Sequence, residues 1–367
     1  DWSSDVCSSD LLIFLFNYKK GGQMKKKFKL YILLLLLIAF TLTGCEKKEE
    51  LVTESAYMLG THIEISIWTD NVVNGKASIQ KSFKRIEEIE KRMSVNIKES
   101  DISLLNKSAG KNSVKVNPDT AHVLNKAIKY ARISEGAFDP TVGKLVKLWG
   151  IGTEEQKIPD SMEIQNALKY VDYKMLKPTA ENEFILDMKG MQVDLGGIAK
   201  GYAGDEVYSI LKDSGIKRAI INLGGNVLTL GKKADGSEWR VGIQNPLKPT
   251  GTHMGIVQVS DKSVVTSGNY ERYFISDGRK YHHIFDTKTG YPVDNGIIST
   301  TIIAKGSIDA DALSTAVFVK GTNDGLKLIE SLDNVECIII TDDYKIYLSS
   351  GMEGKLTIVD NQFKLAD

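Results

Sequence analysis

The pattern of apolar and polar residues predicts an α+β protein with mixed and antiparallel sheets flanked by helices. Segments of period-two alternation and segments of helical apolar spacing are interspersed along the chain without a regular βαβ rhythm. No repeat or low-complexity segment appears beyond position 56. The 367 residues suffice for two domain-sized cores. Lys+Arg and Asp+Glu both number 47, and no basic block lies in the body of the chain. Nucleic-acid binding therefore has no electrostatic footprint here.

The first 56 positions read as leader rather than fold. Positions 1–23 open with a Ser/Asp/Cys string that resembles translated adapter, and Met24 is the expected natural start. Positions 24–44 have the order of an export signal: Lys25, Lys26, Lys27 and Lys29, then an apolar run from Leu30 to Phe40, then small residues. The run is short for a retained membrane span. Leu42-Thr43-Gly44-Cys45 matches a bacterial lipoprotein box, which makes Cys45 the expected lipidated N-terminus of an exported, membrane-anchored chain. Positions 45–56 are then expected to be a solvated tether, with the folded domain spanning 57–367. Cys337 sits in an apolar run, and with Cys45 acylated no disulfide framework is expected.

Within the domain, 57–68 alternates, with Ile63, Ile65 and Ile67 on one face, which predicts a half-buried strand. Gly60-Thr61 near its start marks a place where a ligand could approach the backbone. Positions 76–93 carry Phe83, Ile86, Ile89 and Met93 at helical spacing. Ser100 suits a cap for a short turn through Leu104 and Leu105. Asn117-Pro118 pairs a cap with proline at the first helical position and opens a helix ending before Gly136. The loop from Gly136 to Gly143 holds Phe138, suited to packing or to stacking on a planar ring. A further amphipathic helix covers 161–171, and two short strands are expected in 184–194. Positions 218–230 read strand, Asn222-Leu223-Gly224-Gly225-Asn226 turn, strand. Strands dominate 239–285 and recur at 298–304, 336–341 and 345–349, with helices from Ser307 and over 324–332.

Two stretches offer chemistry. In Val193-Asp194-Leu195-Gly196-Gly197-Ile198-Ala199-Lys200-Gly201-Tyr202 an apolar run turns on two glycines and enters a helix. Bare backbone N–H groups and a positive dipole end at one point favour an anion such as phosphate. The same residues also suit a tight, closely packed strand-to-helix turn. Neither the G-x-G-x-x-G dinucleotide fingerprint nor G-x-x-x-x-G-K-[ST] occurs, which argues against a nicotinamide dehydrogenase. In Ser307-Ile308-Asp309-Ala310-Asp311-Ala312-Leu313-Ser314-Thr315-Ala316, Asp311 and Thr315 are one helical turn apart and share a face. Oxygen ligands without sulfur or imidazole suit Mg²⁺ rather than Zn²⁺. A plain helix start with Asp309 as cap fits the same residues.

Taken together and in order, several motifs resemble the FAD:protein FMN transferases, the ApbE-like flavin transferases, over 57–367. They are Leu59-Gly60-Thr61, Met93-Ser94 with Ser100-Asp101-Ile102-Ser103, Gly136-Ala137-Phe138-Asp139-Pro140-Thr141, and 194–202. Asn222 to Asn226, Thr266-Ser267-Gly268-Asn269-Tyr270, His283-Ile284-Phe285-Asp286 with Thr289-Gly290, and Asp311 to Ala316 complete the set. The resemblance implies a T-fold-related architecture and Mg²⁺-dependent transfer of FMN from FAD to a threonine or serine hydroxyl of a target protein, with release of AMP. It implies that Leu59, Asn96, Ala137, Phe138, Asp139, Asp194, Lys200 and Ile284 line the FAD site. Asp311, Thr315 and the Gly197 main-chain oxygen would hold Mg²⁺ with Ser314 nearby, and His283 would be the base, with Asp309 a second catalytic candidate. A change at the adjacent His282 is expected to be mild. The implied acceptors are flavoprotein subunits of membrane redox complexes of the Rnf or Na⁺-pumping quinone reductase type. An FAD diphosphatase is the alternative on the same fold, and a flavin-carrying lipoprotein without chemistry is the alternative of another class.

Overall fold

The computed structural model describes residues 48–366. The expected leader, signal segment and lipidated Cys45 fall outside them. A nine-stranded sheet forms the centre, in the order β1 (Glu50–Met58), β2 (Thr61–Thr69), β6 (Arg218–Leu223), β7 (Asn226–Leu230), β10 (Ser263–Gly268), β13 (Ile297–Ala304), β14 (Glu336–Thr341), β15 (Lys345–Leu348), β17 (Lys364–Leu365). Neighbours are antiparallel except the short β15–β17 pair, so the expected mixed α+β class holds.

Side-chain alternation sorts this sheet's two faces. Ile63, Ile65, Ile67, Ile221, Leu223, Ile302 and Ile339 enter the larger core, shared with α1 (Val72–Met93), α3 (Pro118–Ile133), α6 (Ala199–Asp213) and α7 (Ser307–Lys320). Ile303, Ile338 and Ile340 point the other way, against Val241, Ile243, Met254 and Val257 of a second sheet. That sheet has the order β16 (Leu356–Ile358), β9 (His253–Val259), β8 (Trp239–Gln244). Burial on both faces explains why β14 reads as an unbroken apolar run. A third sheet, β3 (Val114–Lys115), β5 (Glu183–Leu186), β4 (Leu176–Ala180), and the hairpin β11 (Tyr273–Ser276) with β12 (Arg279–His282) stand apart from it.

Three expectations are corrected. The tether does not extend to position 56, because Glu50–Met58 is a strand paired along its whole length with β2. β2 would otherwise leave its outer N–H and C=O groups unpaired over a buried face, and Val52 supplies an apolar side chain to that face. The segment expected as one strand over 57–68 contains a two-residue turn at Leu59-Gly60. Both residues have positive φ, 53° and 69°, as a type I′ hairpin requires, although leucine is a costly residue there. Instead of two strands in 184–194, only β5 forms; 187–198 is irregular apart from one bridge between Val142 and Gln192. A helix absent from the sequence reading, α4 (Gly143–Trp149), packs Leu145 and Trp149 against Ile164 of α5 (Ser161–Leu168) and Phe285.

Candidate active site

The irregular 187–198 segment is held by two neighbours and by a hydrogen bond of its own. Asn106, on α2 (Asp101–Ser108), exchanges two hydrogen bonds with the Val193 main chain, accepting at 2.7 Å and donating at 3.0 Å. The Asp194 N–H donates to the Pro140 carbonyl at 2.8 Å, tying the segment to the 136–143 loop. The Asp194 carboxylate accepts from the Gly196 N–H at 2.7 Å and so closes the glycine turn. Its ionisation is pushed upward by burial, with that bond and Arg272 acting against the shift.

From this turn α6 runs directly past α7. A Cβ placed on Gly201 would lie 2.3 Å from the Ser307 carbonyl oxygen, so only glycine permits this crossing. Close approach lets Asp311 on α7 reach back to α6, accepting from the Gly201 N–H at 2.9 Å and meeting the Lys200 ammonium at 3.2 Å. Thr315, one turn on, brings its hydroxyl to within 3.5 Å of the position a Gly197 Cβ would take, and Phe138 Cε2 lies 3.2 Å from the same point. Gly197, Phe138, Lys200, Asp311 and Thr315 are thus brought together. Their oxygens form a hard donor set: a carboxylate, a hydroxyl and the main chain of an open turn. That chemistry fits Mg²⁺.

Other expected site residues go elsewhere. Ser314 is buried, donating to the Asp311 carbonyl and bonded to the Ser267 hydroxyl at 2.7 Å, so it braces α7 against β10. Asp309 projects to the opposite side of α7 from Asp311, since residues two apart on a helix lie about 200° apart; it pairs with Lys126 at 2.6 Å and bonds Tyr130. The structure thus turns it toward α3 and away from the Gly197, Asp311 and Thr315 group. Both Asp139 oxygens are committed, one to the Thr141 N–H and hydroxyl, the other to the Tyr173 N–H. Asp139 therefore shapes the loop that carries Ala137 and Phe138, and burial pushes its carboxyl up to about 6. Ile284 is buried in the main core, and its N–H donates to His282. Asn96 is exposed in the 94–100 loop, where no hydrogen bond joins it to these residues. Leu59 sits at the β1–β2 tip, directly beside the Gly224-Gly225 tip of β6–β7. Gly224 abuts Thr61 so closely that a Cβ would fall 2.1 Å from its hydroxyl.

His283 follows β12 and is half-buried. Its N–H and its Nδ1 both meet the Arg272 carbonyl at 3.2 Å. A carbonyl only accepts, so Nδ1 carries the proton and Nε2 is left with its lone pair. Burial, then the Arg272 charge, lowers its ionisation to about 4, with His282 and Lys200 contributing in the same direction. His282 has a different task. It is buried, its Nε2 donating to the Val293 carbonyl at 2.9 Å and its Nδ1 accepting from Ile284.

Sequence reasoning missed Asn106, Asp205 and Arg272. Asp205 accepts from the Ser307 and Ile308 N–H groups at 2.7 and 2.9 Å, capping α7 from α6. Arg272 lies two residues past a motif that the sequence singled out, but nothing in its spacing set it apart.

A glycine turn at a helix start, a hard-oxygen donor set and a neutral imidazole on an α+β scaffold are groups of the kind that phosphoryl transfer uses. The ApbE family model matches residues 59–339. The FAD:protein FMN transferase of Klebsiella pneumoniae (strain 342) is 34% identical over 315 residues, covering 85% of this chain and 96% of its own. That of Treponema pallidum is also 34% identical, over 323 residues, 84% of this chain and 89% of its own. The structure of the flavin transferase ApbE from Vibrio cholerae superposes with a TM-score of 0.75 at 30% identity, covering 84% of this chain and 99% of that one. The ApbE protein of Thermotoga maritima gives 0.77 at 31% identity, with 83% and 99% covered. The chain belongs to the ApbE family.

Proposed function

We propose that this protein transfers FMN from FAD to a serine or threonine hydroxyl of a target protein, releasing AMP. The convergence of the Gly196-Gly197 turn with the Asp311–Thr315 face of α7 carries the reading, and the flavin-transferase names of its relatives support it. The open turn and the start of α6 receive the diphosphate, since the helix dipole there favours negative charge. Phe138 borders that turn. Asp311, Thr315 and the Gly197 carbonyl would hold Mg²⁺, which when bound supplies charge neutralisation to the diphosphate. Lys200 holds the Asp311 carboxylate in place.

His283 Nε2 takes the proton of the acceptor hydroxyl. The hydroxyl oxygen bonds to the phosphorus of the FMN half, the bond from that phosphorus to the AMP oxygen breaks, and AMP leaves with the electron pair. The Arg272 carbonyl holds the ring in the tautomer this needs. Incubation with FAD, Mg²⁺ and membranes should yield AMP and covalently fluorescent protein bands in equal amounts. AMP without labelled protein would turn the assignment to hydrolysis, and no AMP at all would end it.

We also propose that Cys45 carries lipid and holds the domain on the outer side of the cell membrane, where the redox-complex subunits named above would be its acceptors. The order of charged, apolar and Leu-Thr-Gly-Cys segments supports this. Mass spectrometry of protein from an exporting host should find acylated Cys45; an unmodified cysteine in a chain still bearing Met24 would refute it.

A further inference from the structure

Arg272 stands where three parts of the site meet. Its carbonyl accepts from both the N–H and the Nδ1 of His283. Its side chain runs past Gly152, with Cδ 3.8 Å from where a Cβ there would lie, and ends at the Leu59-Gly60 tip. There the guanidinium has one hydrogen bond, a long 3.4 Å contact to the Gly60 carbonyl. A guanidinium carries five N–H donors in a planar fork suited to two oxygens of one anion. No carboxylate forms an ion pair with it among the described residues, and the side chain is exposed. Its charge is nevertheless felt by Asp194, which closes the glycine turn, and by His283.

The other cation of the site is already committed, because Lys200 pairs with Asp311. A diphosphate at the glycine turn brings two negative charges, and the Lys200 charge is already shared with that carboxylate. We propose that the Arg272 guanidinium binds the diphosphate of FAD, making Arg272 a substrate-binding residue whose own main chain positions the base. This rests on the flavin-transfer reading and deepens it. One residue then links substrate charge and base geometry: its side chain recognises the dinucleotide and its carbonyl fixes the imidazole.

The two roles separate experimentally, since a side-chain substitution leaves the carbonyl in place. Calorimetric titration of wild type, Arg272→Gln and Arg272→Lys with FAD, ADP and riboflavin tests the proposal. Arg272→Gln should weaken FAD and ADP about tenfold or more, the scale of a charge-assisted hydrogen bond. Riboflavin, which has no phosphate, should be unaffected, and Arg272→Lys should fall between because it keeps the charge and loses the fork. ADP and FAD constants unchanged in Arg272→Gln would overturn the proposal, as would an equal weakening of riboflavin. A wild-type protein that binds ADP but not FAD would overturn flavin transfer instead, and the ADP constants would still decide the role of Arg272.

Discussion

Replacing Gly201 by alanine sets two effects of opposite sign against each other. In a helix interior alanine is favoured over glycine by about 1 kcal/mol. Here the new Cβ would sit 2.3 Å from the Ser307 carbonyl oxygen and 2.7 Å from Ile308 Cα. Both are backbone atoms, so relief requires α6 and α7 to part by about 1 Å. Overpacking of this kind costs about 1–3 kcal/mol. Separation also stretches the 2.9 Å bond from the Gly201 N–H to Asp311, a charge-assisted bond of about 1.5–3 kcal/mol. The clash outweighs propensity, and a net loss of about 2–4 kcal/mol is expected. Urea unfolding followed by circular dichroism measures it, and Mg²⁺ titration of AMP release should show a weakened metal response. Gly204→Ala is the internal comparison: its Cβ meets Leu228 Cδ1 at 2.8 Å and Leu223 Cδ1 at 3.1 Å, flexible ends that can turn aside. A Gly201→Ala protein whose urea midpoint equals or exceeds that of wild type would refute the reasoning.

Three further outcomes are expected. Asp311→Ala should weaken the Mg²⁺ response by more than the roughly 10–100-fold that loss of an outer-shell partner costs, with a near-native fold; an unchanged titration would take Asp311 out of the site. His283→Ala should slow transfer about 10²–10⁴-fold while FAD still binds. Because His283 ionises near 4 rather than 6.5, its neutral form persists as pH falls, and kcat/KM should hold from pH 7.5 to 5.5 and decline only near 4; a limb at 6.5 would contradict the burial and charge around it. His282→Ala, expected from sequence to be mild in its effect on transfer, should lower stability by about 2–4 kcal/mol, because it leaves the Val293 carbonyl and the Ile284 N–H unpaired in the core; a thermal midpoint within a degree of wild type would refute this.

Periodicity was a good guide wherever one face of an element meets the core. The Ile63, Ile65, Ile67 alternation and the Phe83, Ile86, Ile89, Met93 spacing correspond to β2 and α1. Hydrogen bonds set by tertiary neighbours were not legible. Leu59-Gly60 lacks an Asn-Gly or Asp-Gly signature, and alternation runs on through it, so the hairpin was hidden. β1 reads as tether in sequence because its charged residues, Glu50 and Glu54, sit on an edge strand that needs only a few apolar positions. The Asp311–Thr315 face followed from helical geometry alone. By contrast, the commitments of Asp139, Asp309 and Ser314 depend on Tyr173, Lys126 and Ser267, partners distant in sequence. The same distance hid Asn106 and Arg272.

Helix α7 has no cap of its own: Gly306 precedes it, and Asp205 of α6 supplies the acceptor for two of its first N–H groups. The first turn of the helix bearing Asp311 is therefore capped only when its neighbour is docked. Any excursion that lifts α6 away removes at once the cap, the Gly201 bond and the Lys200 partner of Asp311. The amides of the two helices should accordingly exchange with solvent as one cooperative unit, separate from the sheet beneath them. Ligands that bridge the two helices would slow that exchange in both together, so a ligand bound across Gly197 and Asp311 would act as a latch on the pair.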